Sequence, residues 1–205
     1  MNINKAITVI ASESQIDGSI LYGMLDSIYD FTSSHKFRRM LDTVPTTLIV
    51  GSLGKHHDLI PKELLKHILF LEKITIDQFQ QFLTENSEMI RYIFQAEDIL
   101  VEEDSKFITG RAMEITNQLR WISKYCIDNN CSFIKLAKCQ RSRLNTNPLQ
   151  QKILGSISIP AMANTIYLAE MKRNKDHSTD DLVLTNQKSR TQQDLKIVVL
   201  KIPKC

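Results

Sequence analysis

Residues 5–19 read KAITVIASESQIDGS, and this stretch decides the fold. Its first half, residues 5–11, is an unbroken β-branched run, the pattern of a strand buried on both faces. Its second half is a polar loop. Beyond it Ile20, Leu21, Met24, Leu25 and Ile28 recur at helical spacing. A doubly buried strand that passes through a short polar loop into an amphipathic helix is the opening unit of a parallel α/β sheet, because parallel strands need crossovers and helices supply them.

Outward from that unit the alternation continues. Residues 46–53 (TTLIVGSL), after Pro45, read as a second buried strand. Pro61 holds the favoured first-turn position of a helix over 61–72 (PKELLKHILFLE), and 76–89 read as another with Asp77 near its start. Residues 97–103 (EDILVEE) read as a third strand ending in acids. Residues 110–129 form the longest amphipathic helix, with Ile115, Leu119, Ile122, Tyr125 and Cys126 on one face, and run into a fourth strand at 131–137 (CSFIKLA). Residues 138–152 (KCQRSRLNTNPLQQK) are polar and basic, the composition of an exposed loop. Three further strands are expected at 164–169, 181–186 and 195–202, the last two joined as a hairpin by QKSRTQQD. The pattern predicts one α/β domain over residues 1–205: a mainly parallel sheet flanked by helices, with an antiparallel C-terminal edge. In such sheets ligands sit beyond the carboxyl ends of the strands, here after residues 11, 53, 103 and 137.

Charge is unevenly placed. Residues 1–130 hold 13 Lys/Arg against 18 Asp/Glu, and residues 131–205 hold 13 against 5. A basic C-terminal third suits a polyanion or an acidic neighbouring subunit, and equally suits an ordinary solvated lysine-rich surface. No apolar run approaches the roughly 18 residues of a membrane-spanning helix. The apolar core near the N-terminus is too short for a signal peptide, so a cytoplasmic address is expected. Cys126, Cys131, Cys139 and Cys205 show neither a C-x-x-C pair nor zinc-finger spacing and are expected as reduced thiols. His56, His57 and Asp58 read as a solvated turn, and no metal site is expected.

A loop that cradles phosphates needs glycines so that backbone N–H groups can approach, a lysine for the β- and γ-phosphates, and a Ser or Thr for Mg²⁺. In ASESQIDGS the lysine position is best matched by Asp17, which repels phosphate. The glycine before it is matched by Ile16, whose β-branched side chain disfavours positive φ. Gly18 and Ser19 survive, displaced by one, and Ser14 lies in the body of the loop. A helix N-terminus attracts anions, but Glu13 and Asp17 oppose that. No cofactor is expected, and ATP with Mg²⁺ is not expected to be held by this loop.

The order of these features resembles the RecA-like core of replicative DnaB-type helicases, a P-loop NTPase fold, over most of the chain. The resemblance implies a second strand ending in Ser-Leu-Glu, whose Glu polarises the attacking water. This sequence has Ser52, Leu53 and Gly54, so the general base is missing. It implies an acid at the end of the third strand, where Glu102, Glu103 and Asp104 stand, and a γ-phosphate-sensing Gln at the end of the fourth, where Gln140 stands. The segment LGSISIPAMANTIYLAEM resembles the family's Gly-Ser-Ile segment and the strand that usually begins Ala-Asp, with Asn164 in place of the Asp. The hairpin VLTNQKSRTQQDLKIVVLKI resembles the family's Lys-x-Arg hairpin, which puts Lys188 and Arg190 in the place of a finger reaching a neighbour's nucleotide in trans. Lys138, Arg141, Arg143 and Lys152 belong to a loop that, in RecA-like proteins, faces a channel for a nucleic-acid backbone.

Everything that acts on the chain's own nucleotide is thus degraded, while what acts outward is retained. The expectation is a non-catalytic RecA-like pseudo-ATPase, partnered by itself or by a RecA-like paralogue, with single-stranded nucleic acid as a further partner. Two other readings stay open: an ATPase using Ser19, Glu102 or Glu103 and a neighbour's Arg190, and a RecA-fold ring scaffold without nucleic acid.

Overall fold

The computed structural model describes residues 7–13, 15–31, 46–72, 74–96, 108–139, 153, 158–175, 178–189 and 197–204. Its strands are β1 (Ile7–Ser12), β2 (Thr46–Val50), β3 (Ile68–Leu71), β4 (Ile90–Gln95), β5 (Ser132–Lys138), β6 (Thr165–Lys172), β7 (Thr179–Ser189) and β8 (Ile197–Pro203). They form one eight-stranded sheet in the order β3-β2-β4-β5-β1-β6-β7-β8. Every neighbouring pair from β3 to β6 is parallel. β7 and β8 add an antiparallel edge. The helices are α1 (Asp17–Tyr29), α2 (Ile76–Glu85), α3 (Ile108–Asp128) and the short α4 (Ser158–Met162). A mainly parallel sheet with an antiparallel C-terminal edge is the architecture that the alternating pattern predicts.

Strand periodicity sorts the core into two layers. Val9, Ala11, Leu48, Ile93, Phe133 and Ile166 face Phe79 and Leu83 of α2 and Ile115, Leu119 and Ile122 of α3. Ile10, Ile49, Phe94, Ile134, Tyr167 and Leu182 face Ile20, Leu21 and Met24 of α1. Because both faces of β1 are covered, all of its residues are buried, which is why its sequence is a run and not an alternation.

Local chemistry fixes the element ends. Thr75 caps α2 in a capping box: its hydroxyl accepts from Gln78 N at 3.3 Å, and Gln78 Oε1 accepts from Thr75 N at 3.0 Å. α3 stops at a left-handed Asn130, φ 53°, where Cys131 N donates to Cys126 O at 2.9 Å. That bond, with the two cysteines in contact across it, is the pattern of a Schellman stop. Tyr125 Oη donates to Leu83 O at 3.0 Å and ties α3 to α2. Asn164 clamps β6 to β1, its N–H donating to Ile7 O at 2.8 Å and its Oδ1 accepting from Ile7 N at 3.3 Å.

Three expected elements differ. The strand at 46–53 ends at Val50, because Gly51 takes φ 81° and turns the chain into a 3₁₀ segment, Gly51–Leu59. The helix expected over 61–72 is a 3₁₀ segment, Lys62–His67, followed by β3, which pairs with β2. The run ILFL is too short for its period to separate strand from helix, and the open edge of β2 settles it. The helix expected to Met89 ends at Glu85, and Ile90–Gln95 forms β4 between β2 and β5. β4 therefore holds the sheet position expected for residues 97–103, which lie outside the described residues.

Candidate functional site

The carboxyl ends of β1, β5 and β6 lie side by side, with Ser12 level with Lys138 and with Ala169. Ser12 is buried, and its carbonyl accepts from Cys139 N at 3.0 Å. Glu13 and Gln15 are exposed, Ile16 is half-buried, and α1 begins at Asp17. Ile16 is the N-cap residue with φ −118°, and no side chain caps the helix. Among the described residues, positive φ occurs at Asp30, Gly51 and Asn130, so the described part of this loop lacks the left-handed backbone that phosphate loops use. Asp17 sits in the first turn, where its carboxylate compensates the positive end of the helix dipole.

The 3₁₀ segment that follows β2 packs against this turn. A Cβ on Gly18 would lie 3.0 Å from His56 Nδ1 and 3.2 Å from Leu59 Cδ1. Gly18 is therefore packed closely under the imidazole and Leu59 and does not open space for a ligand. Gly54 lies within the same 3₁₀ segment. Gln95 closes β4, buried and level with Val50 and Lys135. His57 Nε2 lies 3.0 Å from Asp58 Oδ1 on the exposed outer part of the segment. Among the described residues no group of three metal-ligating side chains converges.

At the end of β5, Lys138 is exposed and Cys139 forms an antiparallel bridge with Ile153. Lys188 is half-buried on β7 opposite Ile166. Its Nζ donates to Pro160 O at 2.6 Å and to Ala161 O at 3.4 Å, on α4 of the same chain. Ile166 precedes Ala169, which is level with Ser12, so Lys188 lies about 10 Å down the sheet from the carboxyl edge.

A cavity of about 520 Å³ opens between α1 and the ends of β6 and β8. Tyr22, Leu59, Met171 and Ile202 line it together with Arg173, Lys175 and Lys204.

No protein-family model and no curated protein sequence matches the chain. Solved structures do. A solved ATPase domain superposes with a TM-score of 0.58 at 11% identity, covering 96% of this chain and 80% of its own. A DnaB-like replicative helicase, described with its interactions with primase, superposes with a TM-score of 0.60 at 10% identity, covering 98% of this chain and 57% of its own. The fold is the RecA-like core of DnaB-type helicases.

In this DnaB-type frame the predicted residues divide. Asp17, Gly18 and Ser19 gather at the start of α1, Gly54 belongs to the segment that covers that turn, and Lys138 stands at the neighbouring strand end. Lys188 stands apart, toward the other end of the sheet. Ser14, Glu102, Glu103, Gln140, Arg141, Arg143, Lys152 and Arg190 lie outside the described residues. Sequence reasoning missed the cavity's cations. Their signal was the basic runs KRNK at 172–175 and KIPK at 201–204, which read as ordinary surface charge until β6 and β8 brought them together.

Proposed function

We propose that this chain is a non-hydrolysing member of the RecA-like, DnaB-type fold, working in replication or recombination by association with itself or with an intact RecA-like paralogue. The observation that carries this reading is the first turn of α1. It presents Asp17 where phosphate loops present lysine, and Gly18 lies under His56 and Leu59. A carboxylate there raises the free energy of a bound polyphosphate in place of lowering it. Gly54, in the 3₁₀ segment after β2, stands where the family pattern has the water-polarising Glu, so restoring the lysine alone would not restore turnover.

The basic residues away from α1 support an assembly role. Lys188 lies at a distance from its own α1, which supports a role toward a neighbour, with Arg190 two positions further along the sequence. In that role Lys188 exchanges the carbonyls of α4 for a neighbour's phosphate. Lys138, with Arg141, Arg143 and Lys152, supplies a basic segment for a single-stranded backbone. The similarity to a replicative helicase supports the replication context.

An ATP hydrolysis assay with and without single-stranded DNA tests the catalytic half, with turnover expected at background. Turnover that Glu103→Gln abolishes would overturn the reading. Sedimentation of the full chain tests assembly: a strict monomer, alone and mixed with an intact paralogue, removes it.

A further inference from the structure

We propose that two copies of this chain pair through β8, edge to edge and antiparallel about a two-fold axis at Val199. Among the described residues β8 ends the sheet, with β7 on one side and no strand on the other. Such an edge presents a row of unpaired N–H and C=O groups, and natural sheets blunt it with a bulge, a proline, an outward lysine or a covering segment. β8 has little of this. Its register with β7 is regular, and Pro203 stands at its last position. Lys201 Nζ donates to Asp181 Oδ1 at 2.5 Å, so the lysine's charge is turned back onto β7. Val198, Leu200 and Ile202 pack in the α1 layer, which directs Ile197, Val199 and Lys201 to the other face. There Ile197 is 59% exposed and Val199 51%, so no part of the chain covers them.

The strand is complementary to itself, which selects a second copy as the occupant. With the axis at Val199, that side chain meets the second copy's Val199, and Ile197 meets the stem of the second copy's Lys201. The exposed apolar groups are then covered, and no like charges stand opposite one another. Neighbouring registers do worse. An axis at Lys201 opposes two ammonium groups. An axis at Leu200 sets Val199 against Lys201 and brings Pro203, which has no N–H to donate, into the ladder. Because both copies use the same strand, the contact is a closed two-fold pair, and the eight-stranded sheet continues from one copy into the other. This inference rests on the reading that the chain associates with itself.

Sedimentation equilibrium of the full chain, with Val199→Lys and Val199→Glu at this exposed position, tests the pairing. The unaltered chain should dimerise reversibly. Each variant alone sets like charges across the axis and should weaken the dimer by at least about tenfold, with an unchanged melting temperature. An equimolar mixture of the two should restore it, because residue 199 then meets its opposite charge. Should either variant melt early, Ile197→Lys and Ile197→Glu take their place: facing Lys201, the lysine should weaken the dimer and the glutamate should keep it. Self-association that the like-charged variants leave unaltered, or that mixing does not restore, overturns the pairing and leaves the reading of self-association standing. Tightening by Val199→Glu alone overturns the axis at Val199. A strict monomer overturns the pairing and self-association together.

Discussion

Gly23 and Tyr29 show what single residues of α1 contribute. A Cβ on Gly23 would lie 3.0 Å from Leu200 Cδ1 and 3.3 Å from Leu200 Cβ, so this glycine is the contact that lets the helix lie on β8. Gly23→Val is expected to destabilise by about 1–3 kcal/mol in urea unfolding, through overpacking rather than propensity. Tyr29 Oη and Thr47 Oγ1 share a buried 2.7 Å hydrogen bond. Tyr29→Phe should cost about 1–2 kcal/mol, since Thr47 is left buried without that partner. Burial also pushes the Tyr29 phenol up to about 12 from its ordinary 10.0, against the smaller lowering by Thr47. Its folded value exceeds its unfolded one, so its contribution is whole below pH 10 and is lost as pH rises toward 12. A tyrosinate absorbance titration should show Tyr29 ionising late, and ionisation at the ordinary value would contradict the burial of its hydroxyl.

At the scale of elements, the caps and stops make separate predictions. The capping box at Thr75 predicts that Thr75→Ala lowers stability by about 1 kcal/mol, an effect legible in a melting curve and independent of ligand. The stop of α3 places Cys126 and Cys131 at zero exposure, and the hydrogen bond with Cys131, reinforced by burial, pushes the Cys126 thiol up. Neither thiol should react with iodoacetamide in the folded chain, and both should react once denaturant is added, as peptide mass spectrometry would locate. Alkylation at the native rate of a free thiol would mean that this end of α3 opens. β3 and β4 carry a different lesson. ILFL and IRYIFQ are short apolar runs that are equally good helix fragments alone, and only the open edges of β2 and β5 select the strand.

For the whole molecule, the two ends of the sheet have different chemistry. The carboxyl end gathers Asp17, Ser19, Lys138, Arg173 and Lys175, while Lys188 stands toward the other. If the basic segment around Lys138 tracks a single strand, Lys138→Glu should flatten the dependence of log K on log salt by about 0.7 for the lost contact, measured on a labelled oligonucleotide. An unchanged slope would remove Lys138 from the interface. Assembly, by contrast, should respond to Lys188→Ala and leave that slope alone.

The sequence by itself determined the first unit, the parallel class and the antiparallel edge, because residues 7–12 are buried on both faces and such burial is written as a β-branched run. It determined equally which residues stand in those loops, Asp17 before α1 and Gly54 after β2, since identity at a loop position needs no coordinates. Only the tertiary structure decided that His56 closes over Gly18, that Lys188 rests on the carbonyls of α4, and that Arg173, Lys175 and Lys204 line one cavity. These are contacts between residues far apart in the chain. Their distances follow from strand order and register, which no local pattern contains.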